Sequence, residues 1–222
     1  QAKFLGEPLT IQGSLTQTST ASRTQASAKG ITIEGVLPIA TLSKITQSPA
    51  LSVFEGSTRY RAQIVQNNKE GVDVTVNSKL DGLSIALPAP IGKTKETITP
   101  FSLKWSSTKQ RQAYRQSISF NLGEILNGKL ERLPDSRSKT FFNQAAIAMG
   151  RTSVLPATGM NIDVSLSEID WADWKDLSAK LSSEKAASAK RSTNLLPQVQ
   201  SLSVRTPRLI VDDLVFTDLN VI

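Results

Sequence analysis

Apolar residues recur at every second position along much of this chain. Val72, Val74 and Val76 alternate with Asp73, Thr75 and Asn77. Leu83, Ile85 and Leu87 repeat the pattern, then Phe101, Leu103 and Trp105, then Ile118, Phe120 and Leu122. Ile162, Val164 and Leu166 carry it on, as do Leu202 and Val204, and Arg205 to Val221 again reads as strand. A period of two puts these side chains on one face of a strand and the polar ones on the other. Each run therefore predicts a strand with one oily and one wetted face. Abundant Ser, Thr, Gln and Val suit such half-wet strands, and Gly and Pro punctuate them, as at Leu87-Pro88-Ala89-Pro90 and Gly92.

Two short helices interrupt the strands. Pro38 to Thr46 reads as one, with Leu42 and Ile45 on a common face. Trp171 to Leu181 reads as the other: Asp170 is placed to cap it, Asp173 follows three positions on, and Trp171, Trp174, Leu177 and Leu181 form one apolar stripe. Such a helix covers the end of a sheet, or serves as a plug or partner surface. Ser178 to Gln198 is polar and rich in Ala, Ser and Lys, which fits a helical extension or a linker. Gly30-Ile31-Thr32-Ile33-Glu34 resembles Gly159-Met160-Asn161-Ile162-Asp163, so sub-repeats over 1–58 and 59–182 are expected, then a polar linker at 183–198 and closing strands at 199–222.

The chain's 222 residues suffice for one large domain or two small ones. No apolar run approaches the roughly 20 residues of a membrane-spanning helix. Gln1-Ala2-Lys3-Phe4 does not lead into a signal peptide, so the chain is expected to be a segment of a longer protein, with any anchor outside it. There is no Cys and no His. That excludes Ser-His-Asp and Cys-His nucleophilic sites and imidazole metal sites. Lys and Arg number 26 against 19 Asp and Glu, a net charge of +7. This suits an anionic partner or simply a basic surface. The positive charges are scattered and aromatics make up only 5%, so no basic stripe with stacking rings marks a nucleic-acid site.

Motifs with chemical potential fall short on inspection. Gly92-Lys93-Thr94 imitates the end of a phosphate-binding loop, but Leu87 stands where that loop needs Gly, and Pro88 and Pro90 stiffen it and remove donors. Asp212 and Asp213 are adjacent, so on a strand they point to opposite faces. Asp163, Asp170 and Asp173 are explained by turns and capping. The chain is expected not to be an enzyme and to need no cofactor or metal.

The run Gly71 to Lys93, GVDVTVNSKLDGLSIALPAPIGK, resembles the AsmA-like superfamily of bacterial envelope proteins, and within it the YhdP type. The matching residues are Ser78, Leu80, Gly82, Leu83, Ile85, Leu87, Pro88, Pro90, Gly92 and Lys93. Leu5 to Leu9, Gly56 to Arg61, Leu155 to Trp171 and Arg208 to Phe216 are similar too, in family order, whereas Ser182 to Gln198 shows no motif to align. The resemblance implies a parent protein anchored in the inner membrane of a Gram-negative bacterium and extending across the periplasm. It implies a mainly all-β body: a long curved antiparallel sheet, open along one side, with an apolar concave face forming a repeating β-groove. It implies movement of phospholipid between inner and outer membranes and upkeep of the outer-membrane permeability barrier.

The alternating pattern admits this use and others. A sheet with one apolar face must cover it. Each acyl carbon moved into water costs about 0.8 kcal/mol, so a continuous apolar trough stabilises lipid in transit without bond chemistry. On this reading Val72, Val74, Val76, Leu83, Ile85, Leu87, Phe101, Leu103, Ile118, Phe120, Ile162 and Val164 line the groove and meet phospholipid acyl chains. The same residues also suit a sealed core, a closed barrel around one small apolar ligand, or a non-catalytic scaffold binding other envelope proteins. A segment cut from a longer sheet leaves unpaired edges, so self-association through edge strands is expected.

Overall fold

The computed structural model describes residues 2–17, 27–46, 51–67, 70–134, 140–175 and 195–221. The alternation is realised as fourteen strands in one open sheet. The first half comprises β1 (Ala2–Phe4), β2 (Glu7–Gln17), β3 (Ser27–Pro38), β4 (Phe54–Asn67), β5 (Gly71–Ser78), β6 (Leu83–Ile85) and β7 (Phe101–Gln110). The second comprises β8 (Ala113–Leu122), β9 (Leu126–Arg132), β10 (Gln144–Met149), β11 (Gly159–Ser165), β12 (Ile169–Asp170), β13 (Val199–Val211) and β14 (Leu214–Val221).

Neighbours follow chain order from β1 to β5, then β7 to β11, then β13. The first strand never meets the last, so the sheet is not a barrel. Two-residue turns at Leu5-Gly6, Arg111-Gln112 and Asp212-Asp213 join hairpins, with positive φ at Leu5, Gly6, Arg111 and Asp212. Asp212 and Asp213 thus lie in a turn rather than on opposite strand faces.

Pairing is antiparallel except toward the C-terminus, where β10–β11, β11–β13 and β12–β13 run parallel. The expectation of an antiparallel sheet needs that correction. Residues 150–158 make the return from β10 to β11 by crossing the polar face of β10. Asn127 anchors them: its Nδ2 donates to the Arg151 carbonyl, and its Oδ1 accepts from the Ser153 N–H at 2.8 Å. Gln144 Nε2 donates to the carbonyl of Ala157. Ala146 and Ala148 are buried beneath this return.

Helix α1 (Ile39–Thr46) follows β3. It buries Ile39 and leaves Ile45 exposed, so its contact with the sheet is one residue earlier than the Leu42–Ile45 stripe predicts. Residues 171–175 are helical, and Asp170 Oδ1 caps them by accepting from the Ala172 N–H at 2.9 Å. The remainder of the second expected helix, and residues 183–194 of the expected linker, lie outside the described residues.

The enclosed core is small and sits at one end of the strands. Ile39, Leu80, Leu83, Ile85, Ile91 and Leu122 form it, with Phe101, Leu126, Met149 and Trp174 packed against it. The chain reaches this end because β4 bends at Gly56 to pair with β6. Gly56 has φ 103°, and a Cβ there would collide with the carbonyl of Gly82, so only glycine fits.

Candidate functional site

Cross-strand register assembles the alternating residues into rows that run across the sheet. The central row contains Ile11, Ile33, Ala62, Val76 and Leu103, each directly opposite the next. It continues through Phe120, Gly128, Ile147, Ile162 and Leu202. Ten strands contribute, and none places a polar side chain in it. With about 4.8 Å between strands, the row extends roughly 43 Å along the sheet.

A second row flanks it on one side. It includes Ile31, Ile64, Val74, Trp105, Ile118, Leu130, Ala145 and Met160. A third, on the other side, runs from Leu9 through Tyr60, Ser78, Phe101, Leu122, Leu126, Met149, Val164 and Val204 to Val221. The three rows together span about 14 Å along the strand direction. The two halves of the faint sequence repeat fall alike: Ile33 and Ile162 share the central row, and Ile31 and Met160 share the second.

The reverse face is polar. Its matching row includes Gln12, Thr32, Gln63, Thr75, Lys104, Ser119, Lys129, Asn161 and Ser201. Ion pairs bridge strands there, Arg61 with Glu34 at 3.4 Å and Arg115 with Glu131. Asp73 accepts hydrogen bonds from Ser106 and, at 3.0 Å, from Asn67 Nδ2. Burial pushes its carboxyl up, but these bonds and the Lys104 ammonium outweigh burial and hold it below the ordinary aspartate value.

No second layer seals the apolar face among the described residues. Strands make their substantial contacts with hydrogen-bonded neighbours, and the one described element packed on the sheet otherwise is α1. Ile11 remains 55% exposed and Leu202 49%. One apolar cleft of about 360 Å³ opens between Phe4, Leu9, Ile33, Val76, Leu80 and Phe101. Another of about 320 Å³ lies between Met149, Val164, Ile169, Trp171, Trp174 and Leu219. Burial beside Gly35 raises the Tyr60 hydroxyl above its ordinary pKa.

Of the twelve residues assigned to the groove from sequence, nine share this face: Val72, Val74, Val76, Phe101, Leu103, Ile118, Phe120, Ile162 and Val164. The other three do not. Leu83 and Ile85, each 3% exposed, belong to the end core, and Leu87 packs against it. Reading the sequence by alternation alone missed Ile11, Ile33, Ile64, Leu130 and Ile147, whose strands carry small or polar residues at intervening lined positions.

The Ser78-to-Lys93 run explains itself in this frame. Ser78 Oγ donates to the Arg59 carbonyl at 2.7 Å and accepts from the Leu80 N–H at 3.0 Å, turning the chain off β5. Lys93 Nζ donates to the carbonyls of Leu80 at 2.7 Å, Leu83, and Thr94 at 3.0 Å. All three ammonium hydrogens are thereby directed at the protein's own backbone, which leaves none for a phosphate. Desolvation lowers the pKa of this lysine, with Asp81 and Glu96 opposing it. Among the described residues, no group of three or more Asp or Glu is placed to hold a metal ion, and no helix is long and apolar enough to cross a membrane.

The model of the YhdP protein family matches residues 1–221. The large chromatin assembly factor 1 protein of Gallus gallus is 29% identical over 97 residues, 42% of this chain and 10% of that protein. The chain thus spans about a tenth of the length of that curated protein, and a likeness so partial carries no function across. No solved structure matches.

Proposed function

This chain belongs to the YhdP family, and on that premise we propose that its open sheet is one length of a groove carrying phospholipid acyl chains between the inner and outer membranes. At family level these are bridge-like envelope proteins of lipid transport, and the family is non-enzymatic. The finer reading places this chain in the periplasm of a Gram-negative bacterium, within a parent protein anchored in the inner membrane. There it serves the permeability barrier of the outer membrane.

The observation that carries the reading is the continuous register of three apolar rows on a face that no described layer covers. A folded soluble protein does not ordinarily leave so large an oily surface open unless something apolar occupies it. Each methylene laid on it is stabilised by about 0.8 kcal/mol relative to water. The rows are built of Val, Leu, Ile, Phe and Ala, which grip hydrocarbon without selecting a chemical group.

A photo-crosslinking residue at Leu103 or Phe120, expressed in cells, tests this directly. Phospholipid adducts are expected at both positions. Their absence, with the protein folded and expressed, would remove the reading. A scaffold role is the alternative, favoured by the exposed β14, where Leu214, Val215 and Phe216 all reach solvent. Native mass spectrometry after gentle purification separates the two: bound phospholipid supports transport, and a lipid-free, partner-bound state supports the scaffold.

A further inference from the structure

The three apolar rows differ at their two long sides. Beside Phe101, Leu122, Leu126 and Met149 they run into the end core, which is apolar and closed. On the opposite side the next row on the same face holds Gln66, Val72, Ser107, Gln116 and Arg132 in continuous register. One step further out, Lys109 stands opposite Tyr114. The face therefore grades from sealed hydrocarbon, through the open rows, to a rim of amides, hydroxyls and cations.

The cations on this rim are not equivalent. Lys109 is ion-paired with Glu70 and held by it, each group stabilising the other's charge. Arg132 is exposed, lies 4.3 Å above the Phe141 ring, and makes no ion pair with a carboxylate among the described residues. The ring orients the guanidinium while leaving its hydrogens free for an anion. A cleft of about 490 Å³ opens at this rim, where Ile31, Ile64 and Trp105 meet Gln66, Ser107 and Tyr114.

We infer that phospholipid lies on this sheet in one orientation, with its phosphate at the rim of Gln116 and Arg132 and its acyl chains directed over the rows toward the end core. The inference rests on the lipid reading above and adds a side to it. A phosphodiester needs donors that the end-core side does not offer, because Leu80, Leu83, Ile85 and Ile91 fill it and Lys93 is committed to backbone carbonyls. Heads placed there would lose hydration against an apolar wall.

Two photoactivatable phosphatidylethanolamines in vesicles test this with the 222-residue chain. One carries its diazirine at the acyl terminus and the other on the headgroup, and adducts are mapped by peptide mass spectrometry. Acyl adducts are expected at Val76, Leu103 and Phe120, and headgroup adducts at Tyr114, Gln116 and Arg132. Arg132→Glu should reduce headgroup adducts at least threefold without moving the acyl ones, and Arg132→Lys should retain most of them. Headgroup adducts on residues 79–95, or spread evenly over both sides, overturn the orientation and leave the lipid reading standing. No adduct from either probe overturns both.

Discussion

The ring of Phe120 fills the space where a side chain on Gly128, its partner on the next strand, would stand. The glycine gap in the central row is thereby covered by its neighbour, and the apolar floor stays unbroken. Gly128→Val should destabilise the chain by about 2 kcal/mol, because the ring must be displaced. Phe120→Ala should cost a similar amount by opening a hole over the glycine. In the Phe120→Ala background, Gly128→Ala should become cheaper by about 1 kcal/mol. Urea denaturation of the four proteins in this cycle checks the coupling, and strict additivity would show that the two positions do not share the space.

Lys93 gathers the carbonyls of Leu80, Leu83 and Thr94 around one ammonium. Lys93→Met keeps the length of the stem and leaves those carbonyls short of donors. The expected cost is about 2 kcal/mol. Amide hydrogen exchange should accelerate across Leu80 to Thr94 and stay unchanged in β7 and β8. Uniform acceleration over the whole sheet would mean that the lysine supports more than its own loop.

Asp73 gives a pH dependence of definite sign. Its folded pKa lies below the ordinary 3.8, so its stabilising share is complete above that value and is lost as pH falls through the folded pKa. Glu70 and Glu96 are lowered as well and act in the same direction. Asp73→Asn should therefore flatten part of the acid limb below about pH 4 and leave the remainder. Thermal melts from pH 2 to 7 measure this, and an unchanged acid limb would remove Asp73 from the account.

The outer edge of β14 presents unpaired backbone with Val215 and Phe216 beside it, 53% and 46% exposed. Such an edge invites another strand. Self-association of the isolated chain should rise with concentration in light scattering, and Val215→Lys with Phe216→Lys should shift it toward monomer. Equal association in both proteins would place the contact elsewhere, with the edge of β2 as the next candidate.

Where a strand alternates large apolar with polar residues, as in β5, β7, β8 and β11, its presence and its lined face were readable directly. In β4 the lined residues Tyr60, Ala62 and Ile64 sit between Arg59, Arg61 and Gln63, but the small Ala62 blunts the contrast. In β9 Gly128 does the same. In β10 the alternation vanishes because Ala146 and Ala148, on the reverse face, are covered by residues 150–158. Leu83 and Ile85 alternate as well as any pair, yet the turn at Gly82 takes them to the end core, and periodicity carries no information about such a turn. Nor does it report strand direction, so the parallel pairs of β11 were invisible. The Arg132 rim was missed because it depends on register between strands rather than on any local motif.

The central row changes little from one strand to the next, from Ile11 through Val76 and Leu103 to Leu202. A hydrocarbon displaced by one strand spacing exchanges one set of dispersion contacts for another of the same kind. Its free-energy profile along the sheet is consequently close to level, with neither a deep trap nor a slope. A level track speeds traffic in both senses and favours neither, so any net flux must take its sign from the difference in chemical potential between the two ends.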